Sequence, residues 1–492
     1  MLLLTPILLV PVLAGLLCLV VRSPRVMAAL GVLAFSATLG LGLALVQQVL
    51  ARGVVTEWRE FFSADALSAW MVLLISVVSL ATSLYAGRYF RRDVAAGTVT
   101  PGRVREFFVL TPLFGAGMFL VVLANNLGVM WAAVEGTALS SVLLVALYNR
   151  RNSLEAAWKY VILGSLGLAL ALMGTVFVYA AACKNNPQSL PSFNWSYLMS
   201  VAGQLDPHLL KLAFVFAFVG YGTKAGLAPM HTWLPDAHSE APSPTSAMLS
   251  GVSLKIALYA LLRFHILTTT CLDSGFSRYF LLGFGLFSMF LAAPFILVQK
   301  NLKRMLAYSS LEHVGLICTG FALNSPVTIF GALLHMGYHA LTKPVLFFAA
   351  GNIHQTFHSL EFRVIGPGVG KVLPVTALLM GLAALAAVGL PPFGLFLSEL
   401  TIISGGIASQ QTTVSVLILV ALLASFCGIL QQLTRILLGA RKPGDRASDA
   451  RRLDGVPAMA MLLGGLLLFS VWLPAPLLEL LHQAAGIIGG KP

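Results

Sequence analysis

Five ionisable side chains interrupt apolar runs of this chain. Lys224 falls in KLAFVFAFVGYGTKAGLAPM, Lys255 in SAMLSGVSLKIALYALL and Lys343 in IFGALLHMGYHALTKPVLFFAAG; Glu135 falls in GVMWAAVEGTALSSVLLVAL, and Glu399 follows the break in AAVGLPPFGLFLSELTII. An ionisable group at membrane depth costs at least ~2.5–3.5 kcal/mol on insertion scales, so a chain that keeps five of them there keeps them for a task. The task such groups share is passing a proton or a small cation.

Lys224 stands two residues before Gly226 and five before Pro229. It is either a relay base at the mouth of a helix break or a lysine snorkelling from a helix end. Glu135 is the only charge in its apolar run, and a buried carboxylate either pairs with a cation, for which Lys224 is the natural candidate, or stays protonated and hydrogen-bonded. His335, His339 and Lys343 fall at i, i+4 and i+8, so successive side chains turn by about 40° and form one helical stripe. Imidazoles in such a stripe can accept and donate protons near pH 7; a metal-binding or a purely structural histidine pair are the alternatives. Lys255 has no obvious partner in sequence, and Glu312 and His313 share a further apolar run. His231, Asp236, His238 and Glu240 lie in HTWLPDAHSEAPSPTSA, which reads as a funnel at a pore mouth, a loop cap or a solvated turn.

What must position these groups is a stack of membrane helices. The 492 residues are 58% hydrophobic and 10% charged, with a mean hydropathy of +0.88. Soluble domains carry about 25% charged residues, so this is a polytopic membrane protein. The net charge of +13 sits at helix ends and in short loops, which is a topology signal and not a nucleic-acid patch. Five scattered cysteines with no C-x-x-C give no sign of a cofactor or redox centre in this chain. The first 22 residues lack a basic leader and read as a retained first helix, with no soluble domain expected before or after the membrane part.

At about 20 residues per span, the sequence predicts 14 helices: 2–21, 27–50, 64–87, 106–124, 127–148, 154–182, 208–230, 243–264, 278–298, 303–323, 326–350, 371–404, 412–438 and 456–474. Of the 31 Lys and Arg, 21 fall in or beside loops after odd-numbered helices and seven on the other side. The positive-inside rule then makes the odd loops cytoplasmic and puts both termini outside a prokaryotic cell membrane. GLAPMHTWL (226–234) recurs, offset by 163 residues, as GLPPFGLFL (389–397). Each copy is a Gly/Pro break beside a charge, and paired broken helices mark transporters built from repeats.

In combination these residues resemble the antiporter-like subunits of respiratory complex I, group 4 membrane hydrogenases and Mrp-type antiporters, over nearly the whole chain. The carriers are MWAAVEGTALSS and NSLEAAWKYVILGSLGLALALMGT (130–175), GYGTKAGLAPMHTWLPDAHSEAPSPTSAMLSG (220–251), NLKRMLAYSSLEHVG (301–315), GALLHMGYHALTKPVLFFAAGNI (331–353) and GLPPFGLFLSE (389–399). SLEAAWKY and GLPPFGLFLSE are most similar to the F-type subunits of hydrogenase-4 and formate hydrogenlyase.

The resemblance implies an all-α fold of about 14 spans with two inverted five-helix repeats, 106–264 (helices 4–8) and 278–438 (helices 9–13), flanked by 2–87 and 456–474, with helices 7 and 12 broken. It implies a proton path through Glu135, Lys224, Lys255, His335, His339, Lys343 and Glu399, with Glu312, His313, Asp236 and His231 as secondary candidates. The terminal Glu399 is of the M type, and no long lateral helix of the L type is expected. NiFe and iron–sulfur clusters would belong to partner subunits: other membrane subunits and a peripheral redox arm. The implied function is redox-coupled proton or sodium translocation; an Mrp-type secondary antiporter and a non-pumping membrane anchor are the rivals.

Overall fold

The computed structural model describes residues 2–184, 192–272, 275–439 and 455–490. Arg441, Lys442, Arg446, Arg451, Arg452 and Lys491, which contribute to the charge asymmetry, lie outside the described residues.

The chain opens with α1 (Leu4–Val20) and α2 (Pro24–Arg52), joined by a hairpin to α3 (Ala66–Ala95). The hairpin, β1 (Val55–Glu57) against β2 (Phe62–Ala64), is the one sheet among the described residues. Its purpose is local. The Glu57 carboxylate accepts from the backbone N–H of Leu3, Leu4 and Thr5 and from the Thr5 hydroxyl, supplying from 50 residues away the cap that α1 lacks. Burial alone would raise the Glu57 carboxyl, but these four donors outweigh it and hold it below its ordinary value.

Next come α4 (Pro101–Leu123), α5 (Leu127–Val145), α6 (Arg151–Lys184), the short α7 (Trp195–Ser200) and α8 (Pro207–Ala225), then α9 (Trp233–Glu240), α10 (Ser243–Met248) and α11 (Leu254–Leu272). The second half runs α12 (Phe276–Val298), α13 (Leu302–Ala322), α14 (Pro326–Phe357), the short α15 (Phe362–Ile365) and α16 (Val369–Val372), α17 (Pro374–Ala387), α18 (Gly394–Ala408) and α19 (Thr412–Leu438). It closes with α20 (Val456–Val471) and α21 (Ala475–Ile488). Counting α8 with α9, α10 with α11 and α17 with α18 as single elements gives the fourteen spans expected. Among the described residues, eight helices are long and apolar enough to cross a bilayer unaided; α13 and α14 are long but carry polar groups through their middles.

Three features of the helices depart from the sequence reading. The stretch around Asp236 and His238 is helix α9, not a loop, because Trp233, Leu234 and Ala237 give it an apolar face to bury. The helix expected at 243–264 starts at Ser243 and carries a π-turn, Leu249–Ser253, before α11. After the fourteenth span the chain bends by 79° at Leu473–Pro474 into α21, an extra helix the count omitted.

The two halves repeat their construction. Asn126 caps α5 and forms an antiparallel bridge to Asn194 at the start of α7; Asn301 caps α13 and bridges Glu361 at the start of α15. Both broken helices end in the same Schellman motif. At α8, Leu227 N–H donates to the Gly222 carbonyl and Gly226 N–H to that of Thr223; at α17, Leu390 N–H donates to Leu385 and Gly389 N–H to Ala386. Gly226 and Gly389 take the positive φ values, 77° and 68°, that this turn needs. In the count of fourteen spans α5 is the fifth and α13 the tenth, so the chain runs through them in opposite senses.

Burial separates a hub from a rim. The span Ser243–Leu272 is buried from Ser243 to Thr268, whereas α2, α6, α12 and α19 turn Leu, Val, Ile and Phe outward, as helices bathed in lipid do. The polar groups collect in the hub.

Candidate functional site

Lys255 sits at the centre. Its ammonium donates to the carbonyls of Ser250 and Gly251, both at 2.7 Å. These belong to the π-turn, whose wider spacing leaves carbonyls without their usual helical partner. The same nitrogen is hydrogen-bonded to His339 Nδ1 on α14. From His339 the imidazoles continue: the ring centroid of His313 lies 4.8 Å away, and His313 Nδ1 is 3.0 Å from His335 Nε2. His335 Nδ1 bonds Ser398 Oγ on α18 at 2.9 Å, and donor atoms of His313, His335 and Glu399 all lie within 4.8 Å of one another.

Lys343 donates to Ser309 Oγ (2.7 Å) and the Leu306 carbonyl (3.2 Å) on α13. Ser310, next on that helix, shares a 2.7 Å bond with Ser250. Glu312 lies within electrostatic reach of both Lys343 and Glu399. The result is one polar seam from α11 across α13 and α14 to α18, buried throughout. Its loose ends are informative: Glu312 Oε1, Glu399 Oε1, His313 Nε2 and His339 Nε2 are buried without a hydrogen-bond partner. A buried orphan atom costs about 1–3 kcal/mol, which is tolerable where a proton or water is a transient partner.

The sequence stripe His335, His339, Lys343 is therefore real, but the path it makes is not a straight run along α14. The rings of His335 and His339 are 6.5 Å apart at their centroids, and His313 from α13 stands between them. The i, i+4 histidines do not converge on a shared point; a metal-like cluster, if one is sought, is His313, His335 and Glu399.

A second group lies in the first half. Lys224 donates to Tyr160 Oη and its ammonium stands 4.6 Å from that ring's centroid; Tyr160 in turn stacks on Trp233 and shares a 2.8 Å bond with Ser141. The expected Glu135–Lys224 ion pair does not form among the described residues. Glu135 is on α5 with Ser141, but it is only half-buried and its Oε2 is unpaired, so the tyrosine and not the glutamate holds the lysine. Of the remaining candidates, His231 is buried at the break near Tyr308. Asp236 lies outside the buried seam: it pairs with Lys159 of α6 and Arg304 of α13, tying the two halves together at one face.

Sequence reasoning passed over Tyr160, Ser309 and Ser398, whose hydroxyls are one bond from a candidate, and Ser250, which meets Lys255 through its backbone carbonyl. The available signal was hydroxyl residues in otherwise apolar helices opposite unpaired charges, but which charge each meets depends on packing.

A hub of buried lysines, histidines and glutamates inside a ring of lipid-facing helices, with two Gly/Pro-broken spans in inverted repeats, defines an antiporter-like membrane transport subunit. Residues 124–425 match the family model described as NADH:quinone oxidoreductase/Mrp antiporter, transmembrane, and the chain belongs to that family. It is 37% identical over 394 residues to the hydrogenase-4 component F homolog of Methylacidiphilum infernorum, covering 80% of this chain and 82% of that one. It is 30% identical over 427 residues to NADH-quinone oxidoreductase subunit N of Desulforudis audaxviator, covering 84% and 81%. Its fold is similar to a chain of the archaeal membrane-bound sulfane sulfur reductase, a respiratory membrane complex, with a TM-score of 0.86, 23% identity and coverage of 99% and 97%.

Proposed function

We propose that this chain is the proton-translocating membrane subunit of a multi-subunit respiratory oxidoreductase of the hydrogenase-4 or complex I type. Electron transfer takes place in partner subunits that hold the metal centres, NiFe and iron–sulfur clusters among the candidates, and this chain moves the ion. The observation that carries the reading is the seam Lys255–His339–His313–His335–Glu399. It joins the first repeat (106–264) to the second (278–438) with groups that each take up and release a proton. The relatives point the same way, since hydrogenase-4 and NADH-quinone oxidoreductase are redox complexes.

In this reading Lys224 and Glu135 form the charge-sensitive part of the first half-channel, and Glu399 is the terminal group of the second. The basic face, with Arg88–Arg105, Arg150, Arg151, Lys303, Arg304 and Arg363, is cytoplasmic, and both termini are external. A cysteine at exposed Asn152 should then react only with reagent on the cytoplasmic side, and one at Gly489 only from outside.

The test of function is ion uptake into inverted vesicles carrying the assembled complex, driven by its electron donor. Acidification of the lumen without added sodium, abolished by a protonophore, is expected. Acidification that needs an imposed sodium gradient and ignores electron transfer would establish the secondary antiporter instead; none under either condition would leave the chain an anchor.

A further inference from the structure

His238 is enclosed completely on α9, and neither ring nitrogen has a hydrogen-bond partner. It stacks at 5.1 Å and 16° on Phe347, which stands one helical turn beyond Lys343 on α14. Lys303, Lys343 and Lys255 all act on it electrostatically, and none of them is bonded to it. No packing need calls for a histidine here. An apolar ring would stack on Phe347 equally well and leave no orphan nitrogens.

Next to His238 along α9, at Ser239 and Glu240, the protein opens to cavities on the basic face. A cavity of about 460 Å³ lies on the basic face, lined by Asp93, Tyr148, Arg150, His354 and Gln355. A second, more enclosed space of about 60 Å³ shares Tyr148, Arg150 and His354 with it and reaches Glu240 and Lys303. Its polar groups are fixed: Tyr148 Oη donates to Asp93 Oδ2 at 2.6 Å, Gln355 Nε2 donates to Asp93 Oδ1 at 2.7 Å, and Lys303, itself buried, donates to the Ala241 carbonyl at 2.6 Å. Glu240 is two residues from His238 on α9, and Lys303 lies one turn before Leu306, whose carbonyl accepts from Lys343. The two cavities share three lining residues, and α9 and α13 carry the pocket's Glu240 and Lys303 on to His238 and to Leu306, the acceptor of Lys343.

We infer that this vestibule is the water-facing inlet of the relay, and that His238 is the group that carries protons from the Lys303/Glu240 pocket to Lys343. The step balances with the two ring nitrogens acting in turn. A proton leaves the Lys303 ammonium, or the Glu240 carboxylic acid, for the free nitrogen of neutral His238. The imidazolium releases the proton on its other nitrogen to the neutral Lys343 amine, and the vestibule reprotonates the donor. A turn of the ring restores the starting tautomer. Asp93 is a positioning residue that holds Tyr148 and Gln355 at the cavity wall.

This inference rests on the proton-pumping reading, and the test separates the two. In inverted vesicles with redox-driven uptake, His238→Ala and His238→Phe should each slow proton uptake by about a hundred-fold or more, the range a positioned proton-transfer group contributes, while the complex stays assembled. Added imidazole should restore uptake in His238→Ala and not in His238→Phe, where the ring fills the space. Wild-type uptake in both variants, alongside a Glu399→Gln variant that does not pump, would overturn the inlet and leave the relay standing. Loss of uptake in an assembled His238→Ala complex with no imidazole rescue would make His238 structural and overturn the inference. Normal uptake in all three variants would remove the pumping reading itself.

Discussion

Lys255 and His339 join the two inverted halves of the molecule: the ammonium of the one, anchored by two carbonyls of a π-turn, is hydrogen-bonded to Nδ1 of the other. A charged lysine in this bond requires His339 to be neutral with its proton on Nε2, the atom that has no partner. In the proposed function this pair passes a proton from one half to the next.

Replacing Lys255 with Met keeps most of the side-chain volume and removes the base. Redox-driven uptake should fall by about a hundred-fold, because the bond from Lys255 to His339 is gone, while uncoupled electron transfer continues. Retained uptake would show that protons reach His339 by another route.

Tyr160 separates two roles of Lys224. Tyr160→Phe leaves the ring under the ammonium but deletes the hydroxyl that it donates to and the link to Ser141. Uptake should drop in Tyr160→Phe and stop in Lys224→Ala, with both proteins present in the membrane at normal levels. Equal activity in Tyr160→Phe and wild type would leave the hydroxyl without a role. Glu135→Ala should also stop uptake, though it breaks no bond to Lys224.

Gly389 is required twice over. Its φ of 68° strains any L side chain by about 1–2 kcal/mol, and a Cβ there would meet the Glu399 carboxylate. Gly389→Ala should displace Glu399 and lower uptake, whereas Gly464→Ala, which adds a methyl to open space, should change nothing. Equal uptake in the two variants would show that Glu399 is not held by this turn.

The Glu57 cap on α1 makes a pH prediction with a definite sign. The folded-state carboxyl titrates below its ordinary value of about 4.3, so its contribution is fully present above that pH and fades as pH falls through the lower folded value. Glu57→Gln should lower the melting temperature of the detergent-solubilised protein at pH 7, with about 1–3 kcal/mol lost from the buried N–H groups. The gap to wild type should narrow only below about pH 4. A gap that is constant down to pH 3 would assign the stabilisation to neutral packing.

How much of this was legible in the sequence follows from what each feature depends on. The breaks at Gly226 and Gly389 could be read because Gly and Pro act through local backbone geometry, and the stripe of His335, His339 and Lys343 because helical periodicity fixes it. The partner of Lys224 could not be read: only the packing of α6 on α8 brings the Tyr160 phenol, and not Glu135, to the ammonium. His238 was misplaced for a related reason. Its polar, proline-bounded stretch looks like a loop until Trp233 and Leu234 are seen to be buried, and only then does a histidine among them stand out.

Glu399 offers the most direct test of the account. It ends the seam, its Oε1 has no partner, and Gln would keep its shape while being unable to carry a proton. In inverted vesicles with the complex turning over, the Glu399→Gln variant should show normal assembly and uncoupled electron transfer with no proton uptake, and Glu399→Asp partial uptake. Proton uptake by Glu399→Gln at the wild-type rate would contradict the account.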